Sequence, residues 1–167
     1  MPKWLTDFCS WLQQTAFSQV LENVEWIVPA LQTLHILCIA AVISASLGLV
    51  LRQFGLPADE QPLAAVSQRL LRVIWKTLPV LLGTGALLIC AEPLRSLGSP
   101  AFQVKMALLV CVAALLLFYQ RRLRTLTQAA PVAAAPAGPG GAIAMTALFL
   151  WVCIIFAGRW IAYAAGK

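Results

Sequence analysis

The chain has 167 residues, of which 61% are hydrophobic and only 11% charged. Water-soluble domains carry about 25% charged residues, so the composition excludes an ordinary soluble globule and points to a single integral membrane domain. The net charge of +6 comes from basic residues at the ends of apolar runs, with no aromatic-basic patch; this excludes nucleic acid and leaves the lipid bilayer as the partner.

Residues 1–25 do not read as a cleavable leader, because Asp7, Glu22 and Glu25 interrupt any apolar core. Trp4, Leu5, Phe8, Leu12, Phe17, Val20 and Leu21 recur at helical spacing with Asp7, Gln13, Gln14, Ser18 and Asn23 between them. This predicts an amphipathic helix lying at the membrane interface, anchored by Trp4 and Trp11. The first span is predicted over 26–50, uncharged and long enough for a hydrocarbon core of about 30 Å. Pro29 falls in its first turn, where a missing N–H costs least. Gly55, Pro57, Asp59, Glu60 and Pro62 read as a polar turn.

A second helix is predicted from 63, amphipathic and basic at first through Arg69, Arg72 and Lys76, then spanning 73–91. Pro79 predicts a kink. Gly83, Gly85 and Ala86 form a patch that allows a neighbouring helix to come close. Ser99 followed by Pro100 predicts a helix start with a hydroxyl N-cap. The third span covers 100–119, stopped by Arg121, Arg122 and Arg124. Residues 128–141, rich in Ala, Pro and Gly, read as a linker. The fourth span is 142–165. The fold class is therefore all-α: a four-helix transmembrane bundle with an amphipathic N-terminal helix. Trp4, Trp26, Trp75 and Trp160 are predicted interface anchors.

The loops after the first and third spans, with the basic lead-in, hold seven basic residues against Asp59 and Glu60. Basic loops stay in the cytoplasm, so both termini are expected on the outer side. On that topology His35, Glu92, Lys105, Arg159 and Tyr163 fall in the outer half of the bundle or at its rim. Ionisable groups at such depth are costly and turn towards protein or water. Gln32, His35, Ile39, Val42 and Ser46 share one face of the first span, while Ile155, Phe156, Arg159 and Tyr163 form a stripe on the fourth. If both stripes face inward, they enclose a polar site.

Three functional readings fit these residues. In the first, His35 is an axial ligand of haem, with Lys105 and Arg159 on the propionates; as there is one histidine in the chain, the sixth position is open, weakly held, or filled by His35 of a second subunit. In the second, His35 and Cys38, at i and i+3, bind a soft metal with help from Cys90 and Met106. In the third, His35, Glu92, Arg159 and Tyr163 line a ligand or proton pathway, with Glu92 paired to Arg159 or Lys105. Against all three stands a purely structural role, with His35 hydrogen-bonded across helices to Thr84 or Glu92. The five cysteines lack CxxC or zinc-type spacing and read as small apolar residues. Soluble-enzyme motifs are absent, so an enzyme is not expected.

Leu31-Gln-Thr-Leu-His35, Ser99-Pro-Ala-Phe-Gln-Val-Lys105-Met106 and Gly158-Arg159-Trp-Ile-Ala-Tyr163 together resemble a family of small bacterial four-span integral membrane proteins of unknown function. The resemblance covers about residues 24–165. It implies a bacterial inner-membrane protein and the four-span fold, and implies no activity. A lone histidine in an early span also resembles, more remotely, the small copper-resistance and cytochrome b-like membrane proteins. A second copy of the chain or another membrane subunit is an expected partner.

Overall fold

A computed structural model describes residues 3–56, 62–93, 97–129 and 139–164. Among them the helices are α1 (Lys3–Gln13), α2 (Ala16–Asn23), α3 (Ile27–Gln53), α4 (Leu63–Ala91), α5 (Pro100–Ala129) and α6 (Pro139–Ala164), with no strand. Four apolar stretches are long enough to cross a bilayer: Ile27–Gln53, Leu63–Ala91, Pro100–Thr125 and Gly140–Trp160. The protein is a multi-pass helical bundle with lipid-facing sides. Exposed residues such as Phe118, Phe149 and Phe156 cover its outside, as expected where lipid replaces water as solvent.

The N-terminal region differs from the single helix expected. Thr15 breaks it: its hydroxyl accepts from Ser18 N at 3.4 Å and caps α2. The protein-facing side carries Cys9, Ser18 and Leu21, with Cys9 and Ser18 fully buried. Ser18 Oγ donates to the Cys90 carbonyl at 2.7 Å, tying α2 to the last turn of α4. The aromatic side, with Trp4, Phe8 and Trp11, is exposed. That arrangement suits a helix resting on the headgroup region.

The spans run past the limits set by charge. Helix α5 continues through Arg121, Arg122 and Arg124, because long basic side chains reach back to water without ending a helix. Helix α4 spans its full 29 residues, so the basic lead-in belongs to the same rod; at about 1.5 Å per residue it exceeds the core thickness, and its first turns protrude. Trp75, twelve residues into this rod, is half-buried and packs against the core. Helix α6 begins at Pro139, inside the expected linker; residues 130–138 lie outside the described residues. Ser99 also departs from expectation. Its hydroxyl is buried with no hydrogen-bond partner among the described residues, and its carbonyl, not its side chain, closes the first turn by accepting from Phe102 N.

The four spans form a ring in which α3 packs most on α4, α5 on α6, and α3 on α6, while the α4–α5 contact is the narrowest. The core is built from Val42, Leu49, Leu71, Ile74, Val112, Leu116, Tyr119 and Trp151 with their neighbours. Gly48 matters at the α3–α4 contact, because a Cβ there would meet the Leu70 side chain at 3.2 Å.

Candidate functional site

Side-chain contacts fix the register of all four spans. His35 on α3 meets Thr84 and Gly85 on α4. Gln53, the last residue of α3, meets Tyr119 on α5 and Gly140 on α6. Counting back from the Gln53 level places residue 101 of α5 and Gly158 of α6 opposite His35. Lys105 starts one turn deeper, about 6 Å at about 1.5 Å per residue, and its side chain climbs back. A Cβ on Gly158 would lie 3.7 Å from Lys105 Nζ. The ammonium and the imidazole thus occupy one level of the bundle.

The hydrogen bonds around Thr84 orient the imidazole. Thr84 Oγ1 lies 2.9 Å from the Val80 carbonyl and 3.1 Å from the Leu81 carbonyl. We assign its one proton to those carbonyls, so that towards His35 the hydroxyl oxygen accepts. The 2.8 Å contact with His35 Nδ1 is then an Nδ1–H donation. In the neutral ring this leaves Nε2 as the lone-pair nitrogen. Gly85 makes room for the ring, since a Cβ there would stand 3.4 Å from His35 Cε1. Of the small-residue patch on α4, only Gly85 serves a helix contact: Gly83 faces open space and Ala86 is exposed.

Lys105 is partly buried, and among the described residues it makes no hydrogen bond or ion pair. Arg159 follows Gly158 at the same level but is exposed on the outside of α6. The stripe Ile155, Phe156 and Arg159 faces outward, with Phe156 72% exposed. The inward stripe of α6 is Ala144, Ala147, Trp151 and Ile154, leading to Gly158. An uncharged stripe, small except for Trp151 and Ile154, marks the face that α6 turns to its neighbours. Glu92 caps α4 about two turns further out and is exposed. Tyr163 lies in α6, and its side chain is outside the described residues. On α3 the expected face turns inward from His35 onward, with Val42 and Ser46 buried and His35 and Ile39 half-buried, whereas Gln32 is exposed. Cys38 is buried one turn from His35. No group of three or more His, Cys, Asp or Glu able to hold a metal occurs among the described residues.

Sequence reasoning missed the opposite end of the bundle. Tyr119, 2% exposed, accepts a hydrogen bond from Gln53 Nε2. Gln53 Oε1 would stand 3.0 Å from a Cβ on Gly140, so the α6 start is shaped around that amide. A Gly-Gly pair opening an apolar run was the available signal. Between the two ends, Ser46 Oγ, Trp75 Nε1 and Trp151 Nε1 are buried without a hydrogen-bond partner among the described residues. No protein-family model, no curated protein and no solved structure matches the chain.

Proposed function

We propose that the protein is a bacterial inner-membrane accessory subunit that holds a ligand between His35 and Lys105 in the outer half of its bundle. The observation that carries this reading is the shared level of two chemically unlike groups. One is an imidazole whose orientation leaves Nε2 available. The other is an ammonium without an acceptor among the described residues. A lysine inside a span is costly unless an acceptor or water meets it, and a bound ligand supplies that acceptor. The charge asymmetry of the loops supports placing this end, and both termini, on the periplasmic side. The resemblance to small bacterial four-span proteins supports the inner membrane.

The test is substitution of His35 by Ala and Lys105 by Ala, each followed by growth phenotype, expression and thermal stability of the purified protein. Loss of phenotype with normal stability supports the site; unchanged phenotype in both variants removes it. An absorbance spectrum of the purified protein decides whether the ligand is haem, through a Soret band that disappears in the His35 variant. A second reading, proton conduction, is supported by half-buried His35 with the buried Ser46 hydroxyl deeper on the same face of α3. Proteoliposomes carrying a pH-sensitive dye test it: flux abolished by His35→Ala supports it, and no flux above empty vesicles sinks it.

A further inference from the structure

We propose that the inner end of α4 binds the headgroup of an anionic phospholipid through a basic stripe of Arg69, Arg72 and Lys76. This surface is separate from the His35–Lys105 level and does not depend on it.

Positions 69, 72 and 76 recur at helical spacing and share one side of α4. Ser67, Leu71, Ile74 and Leu81 hold the opposite side and are buried, whereas Arg69, Arg72 and Lys76 are exposed. The outward side continues through Pro79, Val80 and Gly83, also exposed. A Cβ on Gly83 would meet nothing within 4 Å. A charged band thus runs into an apolar one on a single helix face.

The depth of that band is unusual for cations. Ser18 ties α2 to the Cys90 carbonyl at 2.7 Å, and the exposed Trp4, Trp11 and Phe17 of α1 and α2 set that level at the outer headgroups. A hydrocarbon core about 30 Å thick then ends near residue 70, at about 1.5 Å per residue. On the same rise Arg72 starts about 3 Å, and Lys76 about 9 Å, inside that edge. Any tilt of α4 leaves both deeper. Helical side chains lean towards the N-terminus, which for α4 is the inner end, so both cations reach back towards the inner headgroups.

Nothing in the bundle meets these charges. No Asp, Glu, Lys or Arg occurs between Trp26 and Arg52, between Lys105 and Arg121 or between Gly140 and Arg159. Among the described residues the carboxylates Asp7, Glu22, Glu25 and Glu92 lie on α1, on α2, just before α3 or at the end of α4; Asp59 and Glu60 lie outside the described residues. The three basic side chains make no hydrogen bond or ion pair among the described residues. Cations below the headgroups are costly unless an anion or water meets them. A phosphodiester supplies charge and acceptor oxygens for Arg and Lys donors, and its acyl chains can lie along Pro79, Val80 and Gly83. A zwitterionic headgroup brings its own cation to the stripe. A soluble anion would shed its water to reach Lys76.

The experiment is native mass spectrometry of the full chain released from detergent. The probes are phosphatidylglycerol, phosphatidylcholine with the same acyl chains, and glycerol phosphate as a chain-free competitor. Phosphatidylglycerol should be retained at least about tenfold over phosphatidylcholine, from interactions of Lys and Arg with an anionic headgroup. Arg72→Gln and Lys76→Gln should each weaken it about fivefold, and the triple variant with Arg69→Gln about a hundredfold. Lys76→Arg should keep most of the binding. Replacing Arg121, Arg122 and Arg124 together by Gln should leave it unchanged. Thermal unfolding confirms that each variant is folded. Equal retention of the two lipids overturns the proposal. So does a preference that survives the triple α4 variant, or one lost with the α5 arginines instead. Displacement of phosphatidylglycerol by an equal concentration of glycerol phosphate overturns the lipid as occupant.

Discussion

The His35–Thr84 hydrogen bond provides the sharpest energetic prediction. Thr84→Val keeps the side-chain shape at a position only 5% exposed and removes the acceptor 2.8 Å from Nδ1. Interhelical hydrogen bonds within membrane bundles average about 0.6 kcal/mol and reach about 1.7 kcal/mol. Leaving a buried donor unpaired costs about 1–3 kcal/mol, but His35 is only half-buried, so the lower part of that range applies. We expect Thr84→Val to destabilise the bundle by about 1 kcal/mol. His35→Leu should lose the same bond, so a double-mutant cycle should return a coupling of about 0.5–1.5 kcal/mol. The assay is unfolding of purified protein by increasing SDS in mixed micelles, followed by far-ultraviolet circular dichroism. Nitrogen NMR of labelled histidine at high pH adds an independent readout: the wild type should show the proton on Nδ1, and Thr84→Val should move it largely to Nε2. A coupling of zero within error, with the proton already on Nε2 in the wild type, would refute the assigned orientation of the ring.

Further predictions concern the rest of the bundle. Tyr119→Phe leaves Gln53 Nε2 without its acceptor and should cost about 1 kcal/mol in the same unfolding assay; Gln53→Leu combined with it should cost less than the sum of the two. Gly140→Ala places a Cβ 3.0 Å from Gln53 Oε1, so it should lower the unfolding midpoint, whereas Gly83→Ala meets open space and should not. Ser18→Ala removes the bond to the Cys90 carbonyl and should raise hydrogen exchange in α1 and α2 while exchange in α3–α6 stays unchanged. Gly55→Ala forces a left-handed residue at φ +78° to carry a Cβ, at a cost of about 1–2 kcal/mol.

The four spans were legible because lipid leaves little choice: apolar runs of sufficient length must form helices that satisfy their own backbone. The helix beginning at Leu63 and the one beginning at Pro100 follow from local patterns alone. The ends were harder, because arginines after Tyr119 neither break a helix nor mark the point where lipid stops. Facing was harder still. In a soluble bundle the apolar stripe identifies the core, but here Phe156 and Trp151 are both apolar, and only packing decides which one meets lipid. Which way the stripe through Arg159 turns was left open for that reason, and Ile155, Phe156 and Arg159 are exposed. The His35 level could be recognised because an imidazole in a span has few inexpensive environments. The Gln53–Tyr119 contact could not, because an amide at a helix end and a tyrosine near basic residues resemble ordinary interface residues.

The clamp at Gln53 also changes what the segment between α5 and α6 must do. One amide reaches both the third and the fourth span, and α3 packs along α6. The last span is therefore held by surfaces on both α3 and α5, with no need of the peptide that leads into it. Separately encoded halves, one ending after α5 and the other starting at α6, should find each other in the bilayer and rebuild the whole. That would make this stretch a permissive place to insert a tag or reporter.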